Sequence, residues 1–104
     1  MEEISFAQKV YSVCQKIPRG KVTTYKEIAQ VLNTEGYRAI GQALRCNPYA
    51  PLVPCHRVVK SDGSVGGFKG KRVGKEIEEK RRLLENEDVS IVNGKIAQKY
   101  FYKF

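Results

Sequence analysis

The one histidine of the chain, His56, directly follows Cys55 in the proline-rich stretch 47–56. Proline fixes its own φ angle and pushes the residue before it into an extended conformation, so we expect a stiff loop. Because this stretch is also apolar, we expect it to be buried. A cysteine thiol becomes a nucleophile when an imidazole or a positive charge stabilises its thiolate. Cys55 is therefore the candidate nucleophile.

Local geometry limits how His56 can act on Cys55. Adjacent side chains of an extended segment point to opposite faces, so the imidazole must reach the sulfur around a bend or through a water. This disfavours a protease-like Cys–His pair. A histidine that acts as a base also needs a carboxylate to orient its second ring nitrogen.

Glu87 is the candidate for that carboxylate, because it continues the apolar stripe of a last helix expected over about residues 72–87. The stripe consists of Val73, Ile77, Lys80, Leu84 and Glu87. An acidic side chain on an inward face requires a partner. The alternative is a frayed helix end, where Glu87 would lie in water.

The other two cysteines are interpreted as structural. Cys14 lies on the apolar face of the first predicted helix, and Cys46 lies near the end of the third, so both are expected to be small buried residues. Three cysteines without a CxxC pair disfavour a disulfide framework and a zinc ribbon. A metal site from Cys46, Cys55 and His56 would lack a fourth ligand. We therefore predict no metal, and a reducing setting inside the cell.

The N-terminal half predicts three helices. Apolar residues recur at helical spacing over 4–17, and the sequence PRG at 18–20 ends that helix. A capping box from Thr24 to Glu27 begins a second helix that runs to about residue 32. A four-residue turn leads to a third helix over 37–46. Two short helices joined in this way predict a helix-turn-helix.

One face of the third helix carries Arg38, Gly41 or Gln42, and Arg45. Three apolar residues, Ile40, Ala43 and Leu44, are expected to face inward. Glycine costs a helix about 1 kcal/mol relative to alanine, so Gly41 indicates close approach by a partner. An ordinary solvated helix face accounts for these residues equally well.

Residues beyond the stiff loop predict a small β element over 57–65, a glycine-rich loop over 66–70 and a hairpin that turns at Asn93-Gly94. The glycine-rich loop lacks the spacing of a phosphate-binding loop. The structure of the last residues is left open. Together these elements predict one domain over residues 1–104, mainly α with a small β element, as a winged-helix-like fold on a three-helix core.

Charge indicates the kind of partner. Nineteen Lys and Arg residues against eleven Asp and Glu residues give a net charge of +8. Such an excess favours a polyanion, with nucleic acid first and an acidic membrane surface second. The chain has no apolar run long enough to span a membrane and no secretory signal, so we expect a cytoplasmic protein.

The string PCHRV at 54–58 resembles the active-site motif of the O6-alkylguanine-DNA alkyltransferases, which repair alkylated guanine by direct transfer to cysteine. Four further segments are similar to that family: TYKEIA at 24–29, YRAIGQAL at 37–44, Asn47-Pro48 and GSVGGF at 63–68. Residues 80–87 resemble its final helix. The resemblance covers about residues 4–88, the catalytic C-terminal domain of that family. Members usually carry a further N-terminal domain, and the stretch 70–80 is longer here.

The resemblance implies a role for each candidate residue. Cys55 would accept the alkyl group, while His56 would act through a bridging water to keep the thiol deprotonated, held by Glu87. Asn47 would brace the active-site loop. Tyr25 would donate a hydrogen bond to the departing guanine and contact its phosphate.

The same resemblance implies a DNA surface and a base pocket. Arg38 would fill the gap that a flipped base leaves in the duplex. The small residues of the third helix would allow close approach to the minor groove. The implied DNA-binding residues are Tyr25, Arg38, Ala39, Gly41, Gln42, Ala43 and Arg45. The implied base-pocket residues are Val58, Phe68 and Lys69.

Three hypotheses for the function follow. The first is a monomeric, cofactor-free alkyltransferase that reacts once with alkylguanine in double-stranded DNA. The second is a lesion-sensing DNA-binding protein similar to the alkyltransferase-like proteins, which have tryptophan in place of the cysteine; this chain contains no tryptophan. The third is a plain helix-turn-helix regulator, which the Cys55-His56 pair disfavours.

Overall fold

The computed structural model describes residues 5–50, 52–71 and 73–104. Its helices are α1 (Phe6–Cys14), α2 (Tyr25–Val31), α3 (Tyr37–Arg45) and α4 (Lys75–Asn86). Its strands are β1 (Thr23–Thr24), β2 (Val58–Val59), β3 (Ile91–Val92) and β4 (Lys95–Ile96). Short 3-10 turns span Cys55–Arg57 and Gln98–Tyr100. The predicted class, mainly α with a small β element, is confirmed.

The first three helices form the core around which the site is built. Val10 and Cys14 of α1, Ile28 of α2 and Ile40 of α3 are all fully buried against one another. The hydroxyl of Tyr11 donates to the carbonyl of Ala43 at 2.8 Å, which ties α1 to α3. The inward face predicted for α3 and the buried position predicted for Cys14 are both confirmed.

Helix starts follow the expected capping chemistry, with one difference. Thr24 Oγ1 accepts from the backbone N–H of Glu27 at 3.0 Å, as predicted. Within the described residues, however, the Glu27 side chain makes no reciprocal bond, so the predicted capping box is half formed. The complete box is at α1, where Ser5 and Gln8 bond each other's backbone N–H groups at 3.1 and 3.2 Å.

A small parallel pairing places the start of α2 beside the Cys55 turn. Strand β1 pairs with β2 in the register Thr23 with Val58 and Thr24 with Val59. Because β1 leads directly into Tyr25 and β2 directly follows the turn, this pairing brings the phenol and the thiol to one side of the molecule. The C-terminal segment bonds the same backbone, with Val22 N–H donating to Tyr100 and Tyr102 N–H donating to Val22, both at 2.8 Å.

The predicted hairpin at Asn93-Gly94 is confirmed. Strands β3 and β4 are antiparallel, and both turn residues have positive φ angles (53° and 74°), as a type I′ turn requires. The hairpin docks on the turn after β2, where Ile96 N–H donates to the Gly63 carbonyl at 2.8 Å. It closes a second cluster of buried residues: Val22, Val59, Leu84, Val89 and Ile96.

Two predictions about burial are wrong in part. Cys46 is exposed, because it caps the C-terminus of α3 instead of packing on its inner face. Among the described residues of the proline-rich stretch, only 53–56 are buried: Tyr49 and Leu52 are 54% and 83% exposed, whereas Val53 is buried. Pro51 lies outside the described residues.

The last helix begins later than predicted. Gly74, with a φ of +98°, precedes Lys75 and separates α4 from the residues before it. Val73 is therefore outside the helix and 81% exposed, so it does not belong to the predicted stripe. Among the described residues, no helix has the length and apolar character that crossing a membrane requires.

Candidate active site

The active-site turn is fixed by its own backbone and by Asn47. The Asn47 amide donates to the Val53 carbonyl at 2.9 Å, while its oxygen accepts from the Tyr49 N–H at 2.9 Å. The Arg57 N–H bonds the Pro54 carbonyl at 2.9 Å, which closes the turn. Asn47 thus bridges the two ends of the loop that presents Cys55.

Cys55 and His56 lie in a 3-10 turn and not in an extended segment, so that premise of the sequence analysis is wrong. Both side chains are buried, with Cys55 8% and His56 2% exposed. Within the described part of the chain, no hydrogen bond joins the thiol to the imidazole. The expected water-mediated contact between the two side chains stays a prediction.

The carboxylate of Glu87 lies behind the imidazole. Its Oε1 is 3.1 Å from His56 Nε2, although the two residues are 31 positions apart in the chain. Glu87 caps α4 and is 8% exposed, so it is not at a solvated, frayed end. The structure thus brings His56 together with the acid that the helical stripe placed on an inward face.

Arg57 is the residue of this cluster that sequence reasoning missed. Its Nε and terminal nitrogen donate to the two Glu87 oxygens at 2.9 and 2.5 Å, and its other terminal nitrogen donates to the Ile17 carbonyl at 2.8 Å. The signal was its place in the PCHRV string, immediately after His56. A bidentate arginine orients a carboxylate more rigidly than a lysine would.

The electrostatics keep the acid ionised and the imidazole neutral. Burial raises the pKa of Glu87, but the hydrogen bonds from Arg57 and His56 and the positive charge of Arg57 outweigh burial, so the net shift is downward. Burial lowers the pKa of His56, against the opposing effect of Glu87. An ionised carboxylate can only accept, so His56 Nε2 carries the proton and donates to Glu87. Its Nδ1 is then an acceptor.

Cys55 lies at the wall of an open cleft of about 590 Å³. The other residues that line this cleft include Tyr25, Arg38, Gln42, Arg45, Phe68, Lys69 and Lys71. Tyr25 is half-buried at the start of α2, and burial, with the nearby Cys55 and Cys14 thiols, raises the pKa of its phenol. The cleft thus combines a thiol, a protonated phenol and four cationic side chains.

Helix α3 forms one wall of the cleft. Arg38, Gln42 and Arg45 are exposed on it, and a Cβ built on Gly41 would meet no atom within 4 Å. Packing against the described residues therefore does not explain why position 41 is a glycine. Ala39 is exposed but is not part of the cleft wall. Ala43 is buried in the core, so its predicted place on the DNA surface is wrong.

A tight turn over residues 68–71 forms the opposite wall. Phe68 and Lys71 exchange two backbone hydrogen bonds of 2.9 Å, and Lys69 and Gly70 between them have φ angles of 51° and 79°. Lys69 also pairs with Glu79 at 2.6 Å. Val58 does not line the cleft: it is fully buried, and its carbonyl accepts from Lys80 Nζ at 2.7 Å. The place of Val58 in the base pocket stays a prediction.

Comparison with known proteins assigns the family. The sequence profile described as 6-O-methylguanine DNA methyltransferase, DNA binding domain, matches residues 5–89. The chain belongs to this family. The profile includes all the residues of the cluster around Cys55 and ends just after Glu87. Among the described residues, no group of three His, Cys, Asp or Glu side chains is arranged to hold a metal ion.

Relatives in the family are longer than this chain. The methylated-DNA–protein-cysteine methyltransferase of Candida glabrata is 45% identical over 94 residues, which are 89% of this chain and 43% of that protein. The enzyme of the same name from Sulfolobus acidocaldarius is 44% identical over 87 residues, 84% of this chain and 52% of its own length. The chain spans about half the length of the curated relatives it matches.

Solved structures of family members share the fold. The O6-methylguanine-DNA methyltransferase of Pyrococcus kodakaraensis superposes with a TM-score of 0.71 at 45% identity, covering 83% of this chain and 47% of that one. The S. pombe Atl1 protein, in complex with damaged DNA containing O6-carboxymethylguanine, has a TM-score of 0.81 at 31% identity and covers 100% of both chains. The predicted alkyltransferase-type fold and family are therefore confirmed.

Proposed function

We propose that this protein repairs DNA by transferring the alkyl group of O6-alkylguanine directly and stoichiometrically to Cys55. The observation that carries the proposal is the position of a buried thiol at the wall of a basic cleft, with the His56–Glu87 pair directly behind it. The names of the curated relatives support the same reaction class. No cofactor enters the proposed reaction.

Each cluster residue has a role in the proposed chemistry. The proton of the Cys55 thiol passes through a bridging water to Nδ1 of the neutral His56, which Glu87 orients. The thiolate attacks the alkyl carbon, a carbon–sulfur bond forms, and the bond from that carbon to the guanine oxygen breaks. The electron pair of that bond remains on guanine. Tyr25, kept protonated, donates a hydrogen bond to the departing base.

The duplex enters this proposal through the basic face of α3. A reaction on a paired base needs the nucleotide turned out of the stack, which costs a few kcal/mol. Arg38 inserts into the gap, Arg45 and Gln42 contact the backbone, and Gly41 allows the minor groove to approach. The crystal structures of Atl1 and of Mycobacterium tuberculosis OGT in complex with DNA support such a surface.

Mass spectrometry after exposure to an oligonucleotide that contains O6-methylguanine tests the proposal. We expect one methyl group on the peptide that contains Cys55 and none on Cys55→Ala. Cys46→Ala is the matched control: it removes the exposed thiol outside the cleft and is expected to react like the parent. Methyl transfer by Cys55→Ala, or its absence in the parent, would refute the proposal.

The second candidate function is lesion sensing without repair. It is favoured by one observation, the match of S. pombe Atl1 with this chain over 100% of both lengths. On this alternative the protein binds alkylguanine DNA and leaves the alkyl group in place. The same mass spectrum distinguishes the two functions, because a sensor gains no mass. A gel-shift assay should still show that the sensor binds the modified duplex.

We further propose that the protein acts as a monomer inside the cell. One Cys55 and one cleft are enough for one reaction per chain, and the basic surface suits an intracellular association with DNA. Sedimentation of the free protein and of its complex with a short duplex tests the stoichiometry. A complex of two protein chains on one lesion would contradict a monomer.

A further inference from the structure

Lys80 is a fully buried lysine in the middle of α4, and its ammonium bonds three backbone carbonyls. Nζ donates to Val58 at 2.7 Å, to Val65 at 2.6 Å and to Gly67 at 3.0 Å. An ammonium has three protons and no acceptor, so all of its hydrogen-bonding capacity is used. None of these partners is a side chain.

Burying this charge is costly. None of the ion pairs among the described residues includes Lys80, and an ammonium without a nearby carboxylate keeps most of its desolvation penalty. The same burial lowers the pKa of Lys80 to about 7. An apolar side chain would fill the position at a lower cost in desolvation. The arrangement therefore needs a reason other than core packing.

The three carbonyls belong to two segments that form the active site. Val58 begins β2, which directly follows the Cys55–Arg57 turn. Val65 directly precedes the glycine-rich loop over 66–70, and Gly67 and Phe68 of that loop line the cleft together with Cys55. Lys80 thus spans from the strand behind the nucleophile to the wall opposite α3. One cation therefore bonds the backbone of both segments.

We propose that Lys80 is a positioning residue for alkyl transfer, which fixes the Gly67–Phe68 wall relative to Cys55 so that the base is held in line with the thiol. This inference rests on the proposed function. Displacement attack requires alignment of sulfur, carbon and oxygen, and a misplacement of about 1 Å can cost about 100-fold in rate. A mobile wall would keep the thiol reactive while losing that alignment.

Two reactions, measured on the same variants, distinguish an effect on the position of the Gly67–Phe68 wall from an effect on the reactivity of the Cys55 thiol. Lys80→Met and the matched control Lys75→Met, an exposed lysine of the same helix, are made in a Cys46→Ala background. Reaction with free O6-methylguanine base requires the pocket, and alkylation by iodoacetamide requires only a reactive thiol. Cys14 does not interfere, because burial raises its pKa to about 12.

We expect Lys80→Met to lose about 100-fold in the rate with the free base, the cost of a misplaced reactant, while the iodoacetamide rate stays at the parent value. Lys75→Met should match the parent in both. An equal loss in both reactions would mean that Lys80 affects the reactivity of the Cys55 thiol and does not position the Gly67–Phe68 wall, which would overturn the proposal. No loss in either would overturn it as well.

Two further measurements cover the remaining outcomes. Lys80→Gln keeps two donors in a neutral side chain and should fall between parent and Lys80→Met; if neither variant folds by circular dichroism, Lys80 is a structural residue and the proposal is wrong. If the parent itself gains no methyl group, the proposed function fails separately. The wall is then tested by affinity, with Lys80→Met expected to weaken binding of alkylguanine duplex in a Cys55→Ala background.

Discussion

Glu87 contacts two basic side chains with one carboxylate, and the two contacts have different consequences. Arg57 holds both oxygens, which keeps the group ionised, whereas His56 contacts one oxygen at 3.1 Å and remains neutral. The acid therefore sets the tautomer and the direction of the ring without taking its proton. In the proposed reaction its contribution is orientation, and its loss should slow transfer without abolishing it.

Glu87→Gln should lower the transfer rate by about 10- to 100-fold, a loss typical when the hydrogen-bonding partner of a functional histidine is removed. His56→Phe should cost at least as much, because it removes the base itself. Glu85→Gln, an exposed glutamate of the same helix, is the matched control and should react like the parent. Single-turnover rates on a methylated duplex provide the measurement. A parent-like rate for Glu87→Gln would contradict the orienting role.

The neutral state of His56 also predicts how stability depends on pH. Its folded pKa lies below the ordinary value of 6.5, so below pH 6.5 the unfolded chain binds more protons than the native one. Stability should therefore fall as pH drops below 6.5, by up to about 1.4 kcal/mol per pH unit, and Glu87 adds to the fall below its ordinary value of 4.5. Above pH 6.5 neither group contributes a slope.

Urea unfolding of the parent and of His56→Gln at several pH values between 5 and 7 measures this effect. Because His56 is the one histidine of the chain, the variant should show a smaller slope than the parent in this range. Lys80, whose pKa burial lowers to about 7, contributes the same slope to both proteins. If both proteins show the same slope, the histidine is not held neutral in the folded state.

At the scale of elements, variants of α3 distinguish an arginine that inserts into the duplex from one that only attracts the DNA by its charge. Arg38→Ala should slow repair of alkylguanine in duplex DNA far more than reaction with free alkylguanine base, because the free base needs no extrusion. Arg45→Ala on the same face should weaken duplex binding without that selectivity. The ratio of the two rates is measured for each variant. Equal losses on duplex and free base for Arg38→Ala would exclude an inserted arginine.

The turn over residues 68–71 offers a second element-scale prediction. Gly70 has a φ of +79°, and a Cβ there would come 2.9 Å from Arg45 Nε, so Gly70→Ala both strains the backbone and displaces that arginine. Gly94→Ala strains the hairpin at a φ of +74° but meets no atom within 4 Å. Each should lose about 1 kcal/mol in urea unfolding. Only Gly70→Ala should also weaken duplex binding in a gel-shift titration.

Helical elements were predictable wherever an apolar face recurs at a period of 3.6 residues, as in α1, α3 and the buried part of α4. The same periodicity placed Glu87 on the inward face and so indicated the acid beside His56. Cys46 was misplaced because the last residue of a helix has no neighbours one turn ahead to cover it. The bonds of Arg57 and Lys80 join residues 13 to 40 positions apart, and no local pattern encodes them.

At the scale of the whole molecule, the net charge of +8 predicts how DNA binding responds to salt. If three to five phosphates are neutralised, the logarithm of affinity should fall with the logarithm of salt concentration with a slope of roughly −2.7 to −4.5. Binding of an unmodified duplex should show nearly the same slope, because backbone contacts carry no sequence information. Fluorescence anisotropy across a salt series measures both. A flat response would contradict a nucleic-acid role for the basic surface.

The backbone N–H of Val22 donates to the carbonyl of Tyr100, and the carbonyl of Val22 accepts from the N–H of Tyr102. These partners lie about 80 residues later in the chain, and contacts over such a separation slow folding. During synthesis, the Val22 backbone can form these two hydrogen bonds only after residues 100–102 have left the ribosome. A protein consumed in a single reaction is replaced only by new synthesis. On the proposed function, a cell therefore recovers its capacity to repair alkylated guanine only by synthesising and folding new chains, including this late-forming contact.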